Sequence, residues 1–134
     1  MSRRVAVIDD DAAVRQMLSD FLTAEGYDAQ CLTTAEDLTP LHTFAPDVIV
    51  LDLHAEQLEA GKYIFDRFAL DTTLRGARVI VCQADPTLAP ASVSIESPQA
   101  QGYLVLSKPF DLDTLMHLID QAVEGHHQQR SRSA

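Results

Sequence analysis

Three consecutive aspartates, Asp9, Asp10 and Asp11, end a short apolar run, and Asp52 ends the most apolar run in the chain. Lys108 follows a third such run. Carboxylates brought together repel one another, and protons or a cation must relieve the repulsion. A hard dication such as Mg²⁺ is suited to this, because it takes octahedral oxygen ligands and keeps several waters. A lysine beside it offers a compact positive charge to an anionic ligand. Carboxylates, a dication and a lysine in one crevice make up a site for phosphoryl transfer to a carboxylate nucleophile. Singly these residues say little, since an aspartate after a strand is more often a helix cap or a solvated loop residue. Their joint placement carries the argument.

That placement depends on alternating strands and helices. Arg4–Ile8 reads as a strand, and Val14, Met17, Leu18, Phe21 and Leu22 then recur at helical spacing, with Asp11 as N-cap and Gly26 closing the helix. Tyr27–Leu32 is a second strand. Thr34, Ala35, Glu36 and Asp37 resemble a capping box that opens a short helix through Phe44. Pro46 precedes the strand Asp47–Leu51. A helix is predicted over 58–70, a fourth strand over Ala77–Cys82 and a fifth over Gly102–Leu106. The last helix, capped by Asp111, carries Leu112, Leu115, Met116, Ile119, Ala122 and Val123 in one stripe. Between the fourth and fifth strands, residues 85–101 are broken by Pro86, Pro90 and Pro98, and Ser92–Ser97 shows no helical face. Any fourth helix is expected to be short or irregular.

Five β/α repeats with nearly continuous apolar strands imply a parallel sheet covered on both faces. Sites in such sheets lie beyond the carboxyl ends of the strands. Asp9 and Asp10 follow the first strand, Asp52 the third, Gln83 the fourth and Lys108 the fifth.

Composition bounds the partners. The 134 residues suffice for one domain, read as residues 1–124, with the patternless 125–134 as a polar tail or the start of a linker. The net charge of −10 argues against direct nucleic-acid binding. No apolar run reaches the length of a membrane span, and Asp9 and Asp10 cut short any signal-like segment, so no membrane association and a cytoplasmic location are expected. Cys31 and Cys82 read as buried free thiols. His42, His117, Arg75 and Arg78 read as surface residues, and the His126–His127 pair as solvated.

The segments Val7-Ile8-Asp9-Asp10-Asp11, Pro46-Asp47-Val48-Ile49-Val50-Leu51-Asp52-Leu53 and Ser107-Lys108-Pro109-Phe110 resemble those of the bacterial response regulator receiver domain, over residues 3–124. The resemblance implies a doubly wound, flavodoxin-like (βα)5 fold with five parallel strands in the order 2-1-3-4-5. It implies a two-component phosphorelay in which Asp52 accepts a phosphoryl group from a histidine kinase or phosphotransfer protein. Such a domain is not an enzyme beyond self-phosphotransfer and autodephosphorylation. Mg²⁺ or Mn²⁺ would be held by Asp10 directly, by Asp9 mainly through water, by Asp52 and by the backbone carbonyl of His54. Lys108 would contact the phosphoryl oxygens, and the Lys108–Pro109 peptide would be cis. Partners would include an output domain or effector protein, and dimerisation stays open.

Several positions depart from the family. Gln83-Ala84 stands where a hydroxyl residue followed by alanine would contact the phosphoryl group. Val105 replaces the switch aromatic, for which Tyr103, on the same sheet face under period-two alternation, is the substitute. The loop Leu53–Gly61 lacks the usual proline and is one residue longer before its glycine, and 85–101 stands in place of the fourth helix. The alternative is therefore a receiver-fold interaction module that works without phosphorylation. A dehalogenase-type hydrolase would want a carboxylate at position 54, where histidine stands. Flavodoxin and dinucleotide-binding readings need a hydroxyl-rich or glycine-rich loop after the first strand, where the aspartates stand.

Overall fold

The computed structural model describes residues 3–33, 38–53, 71, 74, 76–83, 93–96, 103–107 and 111–133, with only the backbone path given for 52, 53, 83, 93–96, 103–105, 107 and 126–133. Its strands are β1 (Arg4–Ile8), β2 (Asp28–Leu32), β3 (Val48–Leu53), β4 (Arg78–Gln83), β5 (Val93–Glu96) and β6 (Tyr103–Ser107). The described helices are α1 (Ala12–Ala24), α2 (Thr39–Phe44) and α3 (Leu112–Ser133).

β-branched and aliphatic residues dominate β1, β3 and β4, which suits strands buried on both faces. The sheet order is β2-β1-β3-β4-β6-β5. Every pairing is parallel except β5 with β6. Alternation sorts the strand residues onto two faces. Val5, Val7, Val48, Val50, Ile80 and Cys82 pack with Leu18 and Leu22 of α1 and Leu115 and Ile119 of α3. Ala6, Ile8, Ile49, Leu51, Val79 and Val81 pack with Leu41 of α2 and with Leu74.

Local signals explain the helix ends. Asp11 Oδ1 accepts the N–H groups of Ala13 and Val14 at 2.9 and 3.3 Å, which starts α1. Gly26, at φ +91°, turns the chain from α1 towards β2, a conformation that costs other residues a steric penalty. Asp111 Oδ1 accepts the Thr114 N–H at 2.7 Å, and this bond lowers the Asp111 pKa.

The structure corrects several expectations. Among the described residues the sheet has six strands where five were expected, and the additional one, β5, lies inside the stretch expected to be a short or irregular helix. Val93-Ser94-Ile95-Glu96 alternates apolar and polar residues, and it pairs along the edge that β6 would otherwise leave open. The last helix runs on past Gly125 to Ser133, through residues that show no sequence pattern. A helix already nucleated extends cheaply, a single glycine costs it only about 1 kcal/mol, and no proline follows. The apolar stripe of α3 nonetheless stops at Val123. Cys82 is buried as expected, but Cys31 is only partly so, and its thiol pKa is raised by desolvation. Arg78, expected to face water, is half-buried as the first residue of β4. His42 is exposed as expected and pairs with Asp71, Nε2 to Oδ2 at 2.6 Å. The capping box at 34–37 and the helix at 58–70 lie outside the described residues.

Candidate functional site

The three adjacent aspartates have three different environments. Asp9 is buried, 2% exposed, immediately beyond β1. Its N–H donates to the Leu32 carbonyl of β2 at 3.0 Å, and its Oδ1 accepts the Asp11 N–H at 2.9 Å. Asp10 is exposed. Asp11 caps α1, as described above. One carboxylate is thus held in the protein, the next is offered to solvent beside it, and the third orders the helix that follows.

The sheet register brings the other strand ends to the same rim. Ile8 pairs with Leu51, so Asp9 and Asp52 are the next residues along two adjacent parallel strands. Asp52 pairs in turn with Cys82 of β4, and Leu53 with Gln83. Gln83 pairs with Ser107, the last residue of β6 and the one before Lys108. Val105 lies inside the sheet, paired with Val81 on one side and Ser94 on the other, while Tyr103 pairs with Val79 and Glu96. The backbone positions of Asp9, Asp10, Asp52 and Gln83 therefore share the carboxyl edge of β1, β3 and β4. His54, Ala84, Lys108 and Pro109 lie outside the described residues.

Carboxylate oxygens are hard donors and match Mg²⁺ or Mn²⁺ better than a soft metal. An exposed Asp10 next to a buried Asp9 leaves one side of such a site open to water, which Mg²⁺ keeps in its coordination sphere.

One residue here was missed by sequence reasoning. Arg15, one turn into α1, donates from Nη1 to the Asp9 carbonyl oxygen at 2.7 Å. Its spacing from Asp11, i to i+4, is the only sequence signal that it lies over the start of α1.

The family model for the response regulator receiver domain matches residues 5–120. The chain belongs to that family. Receiver domains are signalling modules of two-component systems rather than classical enzymes, and they are generally Mg²⁺-dependent. Relatives of this receiver domain include the regulatory protein AtoC of Escherichia coli, 27% identical over 124 residues that make up 90% of this chain and 25% of AtoC. The chemotaxis protein CheY of Bacillus subtilis is 24% identical over 92% of this chain and 99% of its own length. The chain thus spans about a quarter of one relative and nearly all of the other. Among solved structures, NtrX of Brucella abortus superposes with a TM-score of 0.74 at 20% identity, over 99% of this chain and 29% of NtrX. That similarity establishes the fold. Among the described residues, no helix is long and apolar enough to cross a membrane.

Proposed function

We propose that this receiver domain accepts a phosphoryl group on Asp52 from a histidine kinase or phosphotransfer protein and signals by a conformational change. The observation that carries this reading is the register that sets Asp9 and Asp52 at one level on adjacent parallel strands, with Asp10 exposed beside them. Asp9, Asp10, Asp52 and the His54 carbonyl would hold Mg²⁺ or Mn²⁺, which supplies charge neutralisation for the transferring group. An Asp52 carboxylate oxygen forms the bond to phosphorus as the bond to the donor breaks. Lys108 meets the negative charge of the phosphoryl oxygens, and Gln83 and Ala84 stand where the next contacts would fall. In this reading residues 1–124 form the receiver, and α3 beyond Gly125 leads out of it towards an output domain or effector. A cytoplasmic location and a homodimer are compatible with it.

Mass spectrometry after treatment with a small acyl phosphate and Mg²⁺ tests the proposal. One added phosphoryl group, lost in Asp52→Asn, is expected. No added group, or one that survives Asp52→Asn, would overturn it.

A second reading, an interaction module that works without phosphate, is favoured by β5, which covers the edge of β6 where the family has a fourth helix, and by Gln83 and Val105 at the switch positions. A protein that binds no Mn²⁺ and takes up no phosphate would support it.

A further inference from the structure

We infer that Arg15 is a positioning residue for the acidic pair, holding the end of β1 so that Asp9 and Asp10 face one cation; this rests on the phosphoacceptor reading above. Three of the bonds that hold Asp9 are described. Its N–H is bound by the Leu32 carbonyl at 3.0 Å, its Oδ1 by the Asp11 N–H at 2.9 Å, and its carbonyl oxygen by Arg15 Nη1 at 2.7 Å. The first bond comes from the neighbouring strand and the second from within the turn. The third is the one described side-chain bond that ties this peptide to the body of α1. It is charge-assisted, a class about twice as strong as a neutral bond.

The carbonyl that Arg15 holds belongs to the peptide joining Asp9 to Asp10. Rotation of that peptide would move both carboxylates relative to each other, so this bond bears on two donors. Arg15 is itself fixed: its N–H donates to the Asp11 carbonyl at 3.0 Å, and its carbonyl accepts from Cys31 Sγ of β2 at 3.5 Å. The residue therefore bridges α1, the β1–α1 turn and β2. Groups that orient metal-binding residues from outside the coordination sphere typically change metal affinity by about 10- to 100-fold when removed.

Charge and geometry make opposite predictions here, which gives the test its direction. A guanidinium near a cation site repels the incoming cation, so loss of its charge alone would tighten binding. Loss of its positioning bond would weaken it. Mn²⁺ binding followed by electron paramagnetic resonance, with the unfolding midpoint measured on the same samples, separates the two. For Arg15→Met we expect Mn²⁺ affinity to fall about tenfold. Acyl-phosphate labelling should slow at low Mg²⁺ and recover at saturating Mg²⁺, and Arg15→Lys should restore part of the affinity. Unchanged or tighter Mn²⁺ binding by folded Arg15→Met would overturn the inference, as would an equal loss in Arg15→Lys and Arg15→Met. Should Arg15→Met not fold, Arg15→Ala, a strong helix former that removes the donor and the charge together, decides: affinity at or above that of the unaltered chain overturns positioning, and reduced affinity supports it. Absence of Mn²⁺ binding and phosphate uptake in the unaltered protein would instead defeat the phosphoacceptor reading itself.

Discussion

Asp9 and Asp47 are each 2% exposed, yet they occupy opposite ends of the sheet in different company. Asp47 precedes β3 at the amino end. Its Oδ2 accepts the Arg4 N–H at 2.9 Å, its own N–H donates to the Arg4 carbonyl at 2.8 Å, and its carbonyl accepts the Arg78 N–H at 3.0 Å. One residue thereby joins β1, β3 and β4. Asp9 stands at the carboxyl end, next to the exposed Asp10 and level with Asp52 on the adjacent strand. Equal burial therefore does not imply an equal part in the fold. At the amino end the carboxylate completes the backbone bonding of three strands, whereas at the carboxyl end the proposed site would gather like charges around a cation.

Substitutions can break that contrast. Asp47→Ala leaves the Arg4 N–H without its side-chain acceptor, and we expect a loss of about 2 kcal/mol in urea unfolding with Mn²⁺ affinity unchanged. Equal losses of stability for Asp47→Ala and Asp9→Asn would erase the distinction. Asp9→Asn keeps the shape and an oxygen acceptor for the Asp11 N–H, so stability in metal-free buffer should move by less than about 1 kcal/mol while Mn²⁺ affinity falls about tenfold. Asp11→Ala sharpens the contrast within the acidic run. It removes the α1 cap, at about 1 kcal/mol, but retains the backbone N–H that Asp9 accepts, so metal affinity should hold.

A pH-dependent effect concerns the amino end again, where the Tyr27 hydroxyl donates to Asp120 of α3 and Arg3 lies 5.7 Å from the Tyr27 ring centroid. Burial, and then the bond to Asp120, raises the Tyr27 pKa above its ordinary value near 10. A group whose folded pKa is raised contributes stability that is complete below the unfolded value and fades as pH climbs towards the folded one. Tyr27→Phe should therefore cost about 1 kcal/mol at neutral pH, and its gap from the unaltered protein should stay level to about pH 10 and narrow above it. Denaturant titrations at stepped alkaline pH would show this, and a gap that widens there would contradict the assignment.

Much of this was legible in the chain. Periodicity located β1, β3, β4, α1 and α3, because each buries a face whose spacing is written locally. The caps at Asp11 and Asp111 were legible for the same reason: each side chain bonds a backbone N–H two or three residues away. The acidic residues at strand ends were visible as types and positions. The burial of Asp9 beside an exposed Asp10 was not, since the two are identical in type and differ only in what surrounds them.

What the amino-acid sequence determined by itself was the alternation of strands and helices and the acidic character of one end of the sheet, because hydrophobic period and capping act over a few residues. Tertiary structure decided the rest. It made Val93–Glu96 an edge strand on β6, turned Asp47 into a link between three strands, and brought Arg15 onto the Asp9 carbonyl. Each of these depends on a partner supplied by a different element, and no local pattern specifies which groups will meet once the chain has folded.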